Sequence, residues 1–390
     1  MRTRRLTRRR LAALGLGGLA SFGAAPSWAP LGPRPWIGGR RAMAETPPET
    51  VVYVSNAGSK EIHVLAMNRT TGDLELIDKT PVPGTDKPSP TSMPMAQSPD
   101  HRFLYAALRS EPFPAASFAI DATSGKLTHL GSAPLADSMA YIITDRAGRY
   151  LLSASYPGSK LAINPIDGSG RVQGQATQVL PTKPKAHCVL VDASNKFAYC
   201  TNLGGDIIMQ MKFDANAGTV APNEPAEIAT KSGAGPRHLA FHPNRRFLYL
   251  ITETTATIGT YAIDPQNGTL KELQFVNMLP PDFNEQPAAA DLHVTPDGRF
   301  LYGSERKSSI LAGFRIDPEQ GTLTPIGRFP TEKTPRGFGI DPRGRFLLSV
   351  GLDSNAMTVY AIDQQSGALN PIKHYPMGEM PNWVEFVDLR

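Results

Sequence analysis

The sequence predicts an all-β fold, a seven-bladed β-propeller of four-stranded antiparallel blades, because two short motifs recur along the whole chain. In the first motif a tight turn leads into a strand that opens on an aromatic residue, at positions Phe103, Tyr150, Phe197, Phe247, Phe300 and Phe346. The steps between these aromatics are 47, 47, 50, 53 and 46 residues. Periods of this length, built from short strands and tight turns, are typical of propeller blades.

The second motif has the pattern apolar-Asp-x-x-x-Gly and follows each copy of the first, at Asp121, Asp167, Asp214, Asp264, Asp317 and Asp363. A degenerate copy precedes them at Asn68, with Gly72 in the glycine position. Because this motif occurs seven times, the sequence predicts seven blades.

Each repeat contains two hairpins. In HVTPDGRFLYGSE (293–305) an apolar strand enters a Pro-Asp-Gly turn and a β-rich strand leaves it. The segment GFRIDPEQGTLTPI (313–326) is the next hairpin, and Asp317 and Gly321 mark its turn. Four antiparallel strands per repeat make one blade, and no helical periodicity occurs after residue 30.

The two ends of the chain complement each other. VVYVSN (51–56) matches the second strand of a blade, whereas MPNWVEFVDL (380–389) matches a first strand such as GPRHLAFHPN (235–244). We therefore expect the C-terminal strand to pair with the N-terminal blade and to close the ring, which leaves no open edge between blades one and seven.

The chain divides into three predicted segments: a twin-arginine-type signal peptide (1–44), a short linker (45–50) and a single propeller (51–390). A basic stretch that ends at residue 10 precedes an apolar run of 15 residues, 11–25, which is short for a membrane span. Residues 42–44, Ala-Met-Ala, provide a cleavage site. We expect a periplasmic product without a stable membrane anchor. The alternative is a disordered basic tail on a cytosolic protein.

The charge of the chain is concentrated in the predicted signal peptide. Nine of the 40 Lys and Arg residues lie in residues 1–44, which leaves 31 basic and 35 acidic residues, a net charge near −4. No basic surface remains that would indicate a nucleic-acid partner, and no oligomeric state is predicted. The two cysteines, Cys188 and Cys200, flank one turn and face each other across a hairpin in this interpretation. We expect two buried thiols, although an oxidising compartment would allow a bond.

The candidate site follows from the register of the repeats. The start of each first strand and the end of each second strand open at one rim of the channel, because successive strands are antiparallel. The starts hold Met93, Ala140, His187, Arg237, Ala290 and Arg336. The ends hold Arg109, Tyr156, Leu203, Glu253, Arg306 and Leu352. Repeats keep structural positions alike, so these divergent positions predict a functional site.

This rim combines one histidine and one glutamate with up to four arginines. The excess of guanidinium groups predicts a small, anionic substrate. The alternative is a set of ion pairs that caps the channel and performs no chemistry. Asp291 is a second-tier candidate, whereas His238 is expected to point to the opposite face of its strand. No motif indicates a metal, a nucleotide or a serine nucleophile, so no cofactor is expected.

Several segments identify the chain as similar to a known family. GAGPRHLAFHPNRRFLY (233–249), AADLHVTPDGRFLYGSERKSSI (289–310) and TPRGFGIDPRGRFLLSVG (334–351) resemble the seven-bladed lactonase family. This family includes the propeller type of 6-phosphogluconolactonase and carboxy-cis,cis-muconate lactonizing enzyme, and the resemblance covers residues 51–389. It implies acid/base roles for His187 and Glu253 and anion-binding roles for Arg237 and Arg306. Arg336 is implied as a further substrate contact.

The prediction is therefore a periplasmic lactonase that opens a sugar-acid or related lactone. In this mechanism His187 or Glu253 removes a proton from the attacking water, and Arg237 stabilises the oxyanion or holds an anionic group. Arg109, Tyr156 and the second-tier aspartate named above complete the predicted substrate contacts. Two alternatives stay open: a non-catalytic propeller that binds a ligand or a protein, and a lactonizing or isomerising enzyme acting on an unsaturated dicarboxylate.

Overall fold

The computed structural model of the chain describes residues 48–88 and 92–389. In these ranges the chain forms 28 β-strands and no helix, and the strands assemble into seven sheets of four antiparallel strands. The predicted all-β, seven-bladed propeller is confirmed. None of the described segments is a helix with the length and apolar character needed to cross a membrane. The predicted signal peptide and its cleavage site lie outside the described residues.

The strands are numbered in chain order, and within each blade they are given from the innermost strand outward. Blade 1 contains β28 (Pro381–Asp388), β1 (Thr50–Asn56), β2 (Glu61–Met67) and β3 (Leu74–Pro81). Blade 2 contains β4 (Met95–Gln97), β5 (Phe103–Ala107), β6 (Pro114–Ile120) and β7 (Leu127–Pro134). Blade 3 contains β8 (Met139–Thr144), β9 (Tyr150–Ser155), β10 (Lys160–Pro165) and β11 (Gln178–Pro181). Blade 4 contains β12 (Ala186–Val191), β13 (Phe197–Asn202), β14 (Ile207–Asp214) and β15 (Thr219–Ala229). Blade 5 contains β16 (Pro236–Phe241), β17 (Phe247–Thr252), β18 (Thr257–Ile263) and β19 (Leu270–Asn277). Blade 6 contains β20 (Ala289–Val294), β21 (Phe300–Glu305), β22 (Ile310–Ile316) and β23 (Leu323–Pro330). Blade 7 contains β24 (Pro335–Ile340), β25 (Phe346–Gly351), β26 (Ala356–Ile362) and β27 (Leu369–Pro376).

The ring closes through blade 1. Strand β28 pairs antiparallel with β1, from Thr50 opposite Asp388 to Asn56 opposite Pro381. The last strand of the chain is thus the innermost strand of the first blade, and the predicted closure is confirmed. We call the rim where innermost strands start and second strands end the upper rim. The opposite rim, which carries the turns between these two strands, is the lower rim.

Both sequence motifs lie at the lower rim, and they hold neighbouring blades together. The aromatic that opens a second strand packs against the glycine of the aspartate motif in the next blade, in the pairs Phe103–Gly170, Tyr150–Gly218, Phe197–Gly268, Phe247–Gly321, Phe300–Gly367 and Phe346–Gly72. The last pair joins blade 7 to blade 1. A side chain at these glycines would overlap the ring beneath it, so the recurrence of both motifs has one physical cause.

In four blades a tyrosine lies two residues after the aromatic position, which Val51 takes in blade 1, and adds a hydrogen bond to the same contact. Its hydroxyl donates to the carbonyl of the motif glycine in the next blade, in the pairs Tyr53–Gly125, Tyr199–Gly268, Tyr249–Gly321 and Tyr302–Gly367. These bonds are 2.7–3.0 Å long and buried. We call the ring packing and this hydrogen bond together the blade latch.

The two cysteines are free and buried, as predicted. The expectation that they face each other is wrong. Cys188 lies opposite Thr201 and Cys200 lies opposite Val189, so the two thiols are one residue out of register. Neighbouring strand positions point to opposite faces of a blade, and the two side chains accordingly join different hydrophobic clusters. Burial raises the pKa of both thiols well above the ordinary value.

Candidate active site

A β-bulge at the start of the innermost strand places the candidate residues. In β16, Pro236 pairs with Thr252 and His238 pairs with Ile251, which leaves Arg237 without a partner in the ladder. The same irregularity occurs at the equivalent position of four other blades and leaves out Ala140, His187, Arg336 and Asn382. A bulge bends its strand and re-aims side chains. Five of the seven blades therefore repeat one backbone feature at this rim and differ in the side chain on it.

The bulge overturns the expected orientation of His238. Strict alternation predicts that Arg237 and His238 point to opposite faces, but the extra residue suspends alternation at this point. His238 lies beside His187, with ring centroids 5.1 Å apart, and its Nδ1 is 2.8 Å from Asp291 Oδ1. It thus belongs to the same side-chain cluster as the predicted residues.

Glu253 is clamped by two arginines. Its Oε2 accepts from Nε of Arg237 at 2.9 Å and lies 3.1 Å from a terminal nitrogen of Arg306. Burial opposes ionisation of the carboxyl group, but Arg237 and Arg306 outweigh it, and the pKa of Glu253 lies below its ordinary value. The carboxylate is therefore an anion at neutral pH and a weak proton acceptor.

Main-chain carbonyls hold the two clamping arginines in place. Arg237, which is 1% exposed, also donates to the carbonyl of Ala290 in the next blade. Arg306 donates from Nε to the carbonyl of Ala288 at 2.8 Å. Burial, and then the nearby Arg306, lower the pKa of Arg237 to about 10. Each guanidinium group is thus held in place by the Glu253 carboxylate and by a main-chain carbonyl.

Arg336 and Arg109 lie at the same rim in other blades. Among the described residues, no hydrogen bond or ion pair engages the Arg336 guanidinium, which is partly buried. Burial and the neighbouring Arg237 and Arg306 lower its pKa well below the ordinary value. Arg109 donates to the hydroxyls of Ser138 and Ser92 at 3.1 and 3.0 Å. Arg336 is consequently the cation best placed to bind an added anion.

His187 is a buried imidazole among cations. It is 4% exposed, and its ring contacts that of Tyr156 edge to face at 5.8 Å. Burial is the main cause that lowers its pKa well below the ordinary value, and Arg237 and His238 lower it further. The imidazole is therefore neutral at neutral pH and available as a proton acceptor.

The Asp291 carboxylate contacts two histidines, His238 and His293. Its Oδ1 is 2.8 Å from Nδ1 of His238, and its Oδ2 is 3.1 Å from Nε2 of His293. The backbone amides of Leu292 and Phe338 also donate to this carboxylate. Burial opposes its ionisation, but the two histidines hold the pKa of Asp291 far below its ordinary range. Because protein groups occupy both oxygens, a direct substrate contact of Asp291 stays a prediction.

The described structure brings the predicted residues into two touching groups. Arg237, Glu253 and Arg306 form one group, while His187 and Tyr156 contact each other in the second. Sequence reasoning missed His238 and also Asn382, the bulge residue of blade 1. Asn382 accepts from the amide of Met93 at 2.9 Å. Extending the repeat register into the closing strand would have found Asn382, whereas nothing in the sequence marks the bulge at His238.

Comparisons with known proteins agree with this architecture. A family model described as "Lactonase, 7-bladed beta-propeller" matches residues 53–386. This chain belongs to that lactonase family. The resemblance predicted from the sequence is thereby confirmed.

Relatives of this lactonase-family chain include named enzymes. The 6-phosphogluconolactonase of Pectobacterium atrosepticum is 39% identical over 293 residues, which cover 75% of this chain and 85% of that protein. The 6-phosphogluconolactonase of Erwinia tasmaniensis is 37% identical over 291 residues, which cover 75% and 84%. Among solved structures, the periplasmic gluconolactonase of Pseudomonas aeruginosa superposes with a TM-score of 0.78 at 26% identity, and the match covers 87% of this chain and 99% of that one.

Proposed function

We propose that this chain is an exported lactonase that hydrolyses the lactone of a sugar acid at the upper rim. The observation that carries the proposal is a buried imidazole, His187, at the same rim as Arg336, whose guanidinium has no partner among the described residues. Family membership and the names of its relatives support lactone hydrolysis as the reaction. The sugar-acid class comes from the 6-phosphogluconolactonases and the gluconolactonase among these proteins.

The acid/base assignment follows from the charges of the site. Glu253 is an anion held by two arginines, so it is a poor base, and His187 is neutral and is the better one. In the proposed reaction the imidazole takes a proton from water as the water oxygen attacks the lactone carbonyl carbon. The same proton then goes to the ring oxygen, whose bond to that carbon breaks. The products are a hydroxyl group and a carboxylic acid, which releases one proton to solvent.

The arginines have different tasks in this proposal. Arg237 and Arg306 are fixed by Glu253 and by main-chain carbonyls, so they provide a preorganised positive field for the oxyanion. Arg336 has its donors available and binds the anionic group of the substrate. A guanidinium can bind a carboxylate or phosphate through two parallel hydrogen bonds. Glu253 acts by orienting the two fixed arginines.

A lactone panel tests the function. Purified protein of residues 45–390 is expected to accelerate proton release from glucono-δ-lactone or its 6-phospho form above the spontaneous rate. Arg336→Gln should raise KM for a phosphorylated lactone by about tenfold or more, the cost of one charge-assisted contact, and affect a neutral lactone less. Arg315→Gln removes a charge at an exposed position of β22, the third strand of blade 6, and serves as the control. No acceleration on any lactone would contradict the proposal.

The pH profile provides a separate test of His187 as the base. Because its pKa is lowered, the imidazole stays neutral well below pH 6.5, so kcat/KM should remain high as the pH falls through ~6.5. A loss of activity centred at or above this pH, in measurements corrected for spontaneous hydrolysis, would count against the assignment.

Export is the third part of the proposal, and it rests on residues 1–44. Changing Arg8 and Arg9 to lysine should trap the precursor in the cytoplasm, because a twin-arginine signal depends on the guanidinium pair. Immunoblots of periplasmic and cytoplasmic fractions measure this. Normal periplasmic accumulation of the double variant would contradict the proposed route.

A further inference from the structure

Two neighbouring imidazoles at the site each carry a buried nitrogen without a protein partner. His187 and His238 are 4% and 3% exposed, and their ring centroids are 5.1 Å apart. Within the described residues, neither Nδ1 of His187 nor Nε2 of His238 has a hydrogen-bond partner. Leaving a buried polar atom unpaired costs about 1–3 kcal/mol. Two such atoms on adjacent rings therefore point to a shared function.

Asp291 decides which nitrogen of His238 carries the proton. Its carboxylate receives two histidines and two backbone amides, which is the environment of an anion. An ionised carboxylate only accepts hydrogen bonds, so Nδ1 of His238 must donate to Oδ1. Burial, followed by Arg237, lowers the pKa of His238 to about 4, and the ring is neutral at neutral pH. Its Nε2 therefore has a free lone pair.

We infer that Asp291 and His238 position His187 for proton transfer by fixing its tautomer. In this arrangement Nδ1–H of His187 donates to the lone pair on Nε2 of His238, which the contact between the two rings allows after a small side-chain rotation. The proton on Nδ1 leaves Nε2 of His187 bare, as a base that abstracts a proton from water requires. A third group that orients the base is the general logic of catalytic triads. The inference rests on the proposed function, in which His187 is the base.

The other histidine on Asp291 offers a matched control. His293 contacts Oδ2 of the same carboxylate, its side chain is 40% exposed, and its ring packs on Phe338 at 4.7 Å. It thus shares the anion with His238 but has no ring contact with His187 among those described. Replacing His293 perturbs Asp291 without removing the lone pair that the inference requires.

Long-range ¹H–¹⁵N correlation spectra of histidine-labelled protein test the inference directly. In the wild type at pH 8 we expect His187 in the Nδ1–H tautomer, which is the minor form of histidine free in water. In His238→Phe we expect the Nε2–H tautomer to predominate, and kcat to fall by about tenfold or more because the base is wrongly protonated. KM should change less than kcat. His293→Gln should leave the His187 spectrum as in the wild type.

Each outcome has a defined meaning. An Nε2–H tautomer of His187 in the wild type overturns the inference without any variant, so a misfolded His238→Phe does not block the test. An unchanged tautomer in a folded His238→Phe protein overturns it as well. If the wild type hydrolyses no lactone, the proposed function fails, and the wild-type spectrum still shows which nitrogen of His187 is protonated.

Discussion

At the lower rim, neighbouring blades are joined by a contact that recurs around the ring, whereas at the upper rim equivalent positions hold different side chains. Six aromatic rings pack on six motif glycines in the same way, and Val51 takes the aromatic position in blade 1. The bulge positions of the upper rim hold, by contrast, Ala140, His187, Arg237, Arg336 and Asn382.

The difference distinguishes the residues that hold neighbouring blades together from the residues that form the candidate site. Each blade must bind the next, and one solution serves every interface, so the latch is repeated. A small-molecule site needs several unlike groups around one point, and a ring of equivalent bulges supplies unlike side chains from several blades. Changes in the latch at the lower rim should therefore alter stability, whereas changes of the candidate catalytic and substrate-binding residues at the upper rim should alter activity.

The largest effect is expected where the ring closes. Ending the chain after Met380 removes β28, so blade 1 loses its innermost strand and β1 becomes an open edge. We expect insoluble protein, or protein without a cooperative thermal transition in calorimetry. Protein of residues 45–390, which keeps every described strand, is the control. A truncated protein that unfolds at the temperature of the control would show that closure contributes nothing.

The next effect is on catalysis at the upper rim. His187→Ala should lower kcat/KM by about 10²–10⁴-fold, the usual contribution of a general base, with the midpoint of thermal unfolding nearly unchanged. Alanine fits this backbone, because Ala140 occupies the equivalent bulge in blade 3. Lactone hydrolysis and thermal unfolding are measured on the same preparations.

Asn382→Ala alters the same bulge position in blade 1 and should behave in the opposite way. The asparagine bonds the amide of Met93 and the carbonyl of Met380, so its loss should cost about 1–2 kcal/mol of unfolding free energy. Activity per folded molecule should hardly change. Equal activity losses in His187→Ala and Asn382→Ala would remove the distinction between the two bulges.

The third effect concerns the packing of the aromatic ring against the motif glycine in the blade latch. Gly268→Ala should lower the free energy of unfolding by about 3 kcal/mol or more, because the new methyl group overlaps the Phe197 ring and the backbone is left-handed, with a φ of 67°. Gly233→Ala isolates the backbone cost, since its φ is 75° and no other group lies within 4 Å of the added carbon. That variant should lose only about 1–2 kcal/mol. Equal losses in chemical denaturation would mean that the ring contact is not tight.

The fold was predictable because its determinants repeat. The ring packing of the latch uses an aromatic in six blades and a motif glycine in all seven, so both residue types return at each period, and the count of the aspartate motif gives the number of blades. Closure was predictable for the same reason, since PNWVEFVD (381–388) carries the pattern of an innermost strand.

The site was predictable only as a set of positions. Register indicates that Arg237 and Arg336 occupy equivalent places, but it does not indicate that Glu253 engages one guanidinium and leaves the other without a protein partner among the described residues. His238 was assigned to the wrong face because a bulge changes the alternation without leaving a signature in residue type. Partners and bulges depend on three-dimensional contacts, which a period along the sequence does not encode.

The smallest effect concerns the hydrogen bond of the latch, and the chain contains its own control. Tyr249→Phe removes a buried bond of 3.0 Å to the carbonyl of Gly321 and should cost about 0.5–1.5 kcal/mol of unfolding free energy. Tyr105 occupies the equivalent position in blade 2, but its buried hydroxyl has no partner within the described residues. The facing turn explains this, because it runs from Asp167 to Gly170 and is one residue shorter than the turn from Asp317 to Gly321, so Asp167 departs from the Asp-x-x-x-Gly spacing predicted for it.

Tyr105→Phe should therefore cost nothing or stabilise the protein slightly, because it removes a buried polar atom that lacks a protein partner. Urea denaturation of the two variants measures the difference, and lactone hydrolysis should be unchanged in both, since each hydroxyl lies at the lower rim. A loss in Tyr105→Phe as large as that in Tyr249→Phe would show that the hydroxyl of Tyr105 is satisfied in solution. In that case blade 2 would carry the latch hydrogen bond as blades 1, 4, 5 and 6 do, and the lower rim would be more uniform than the sequence of its turns suggests.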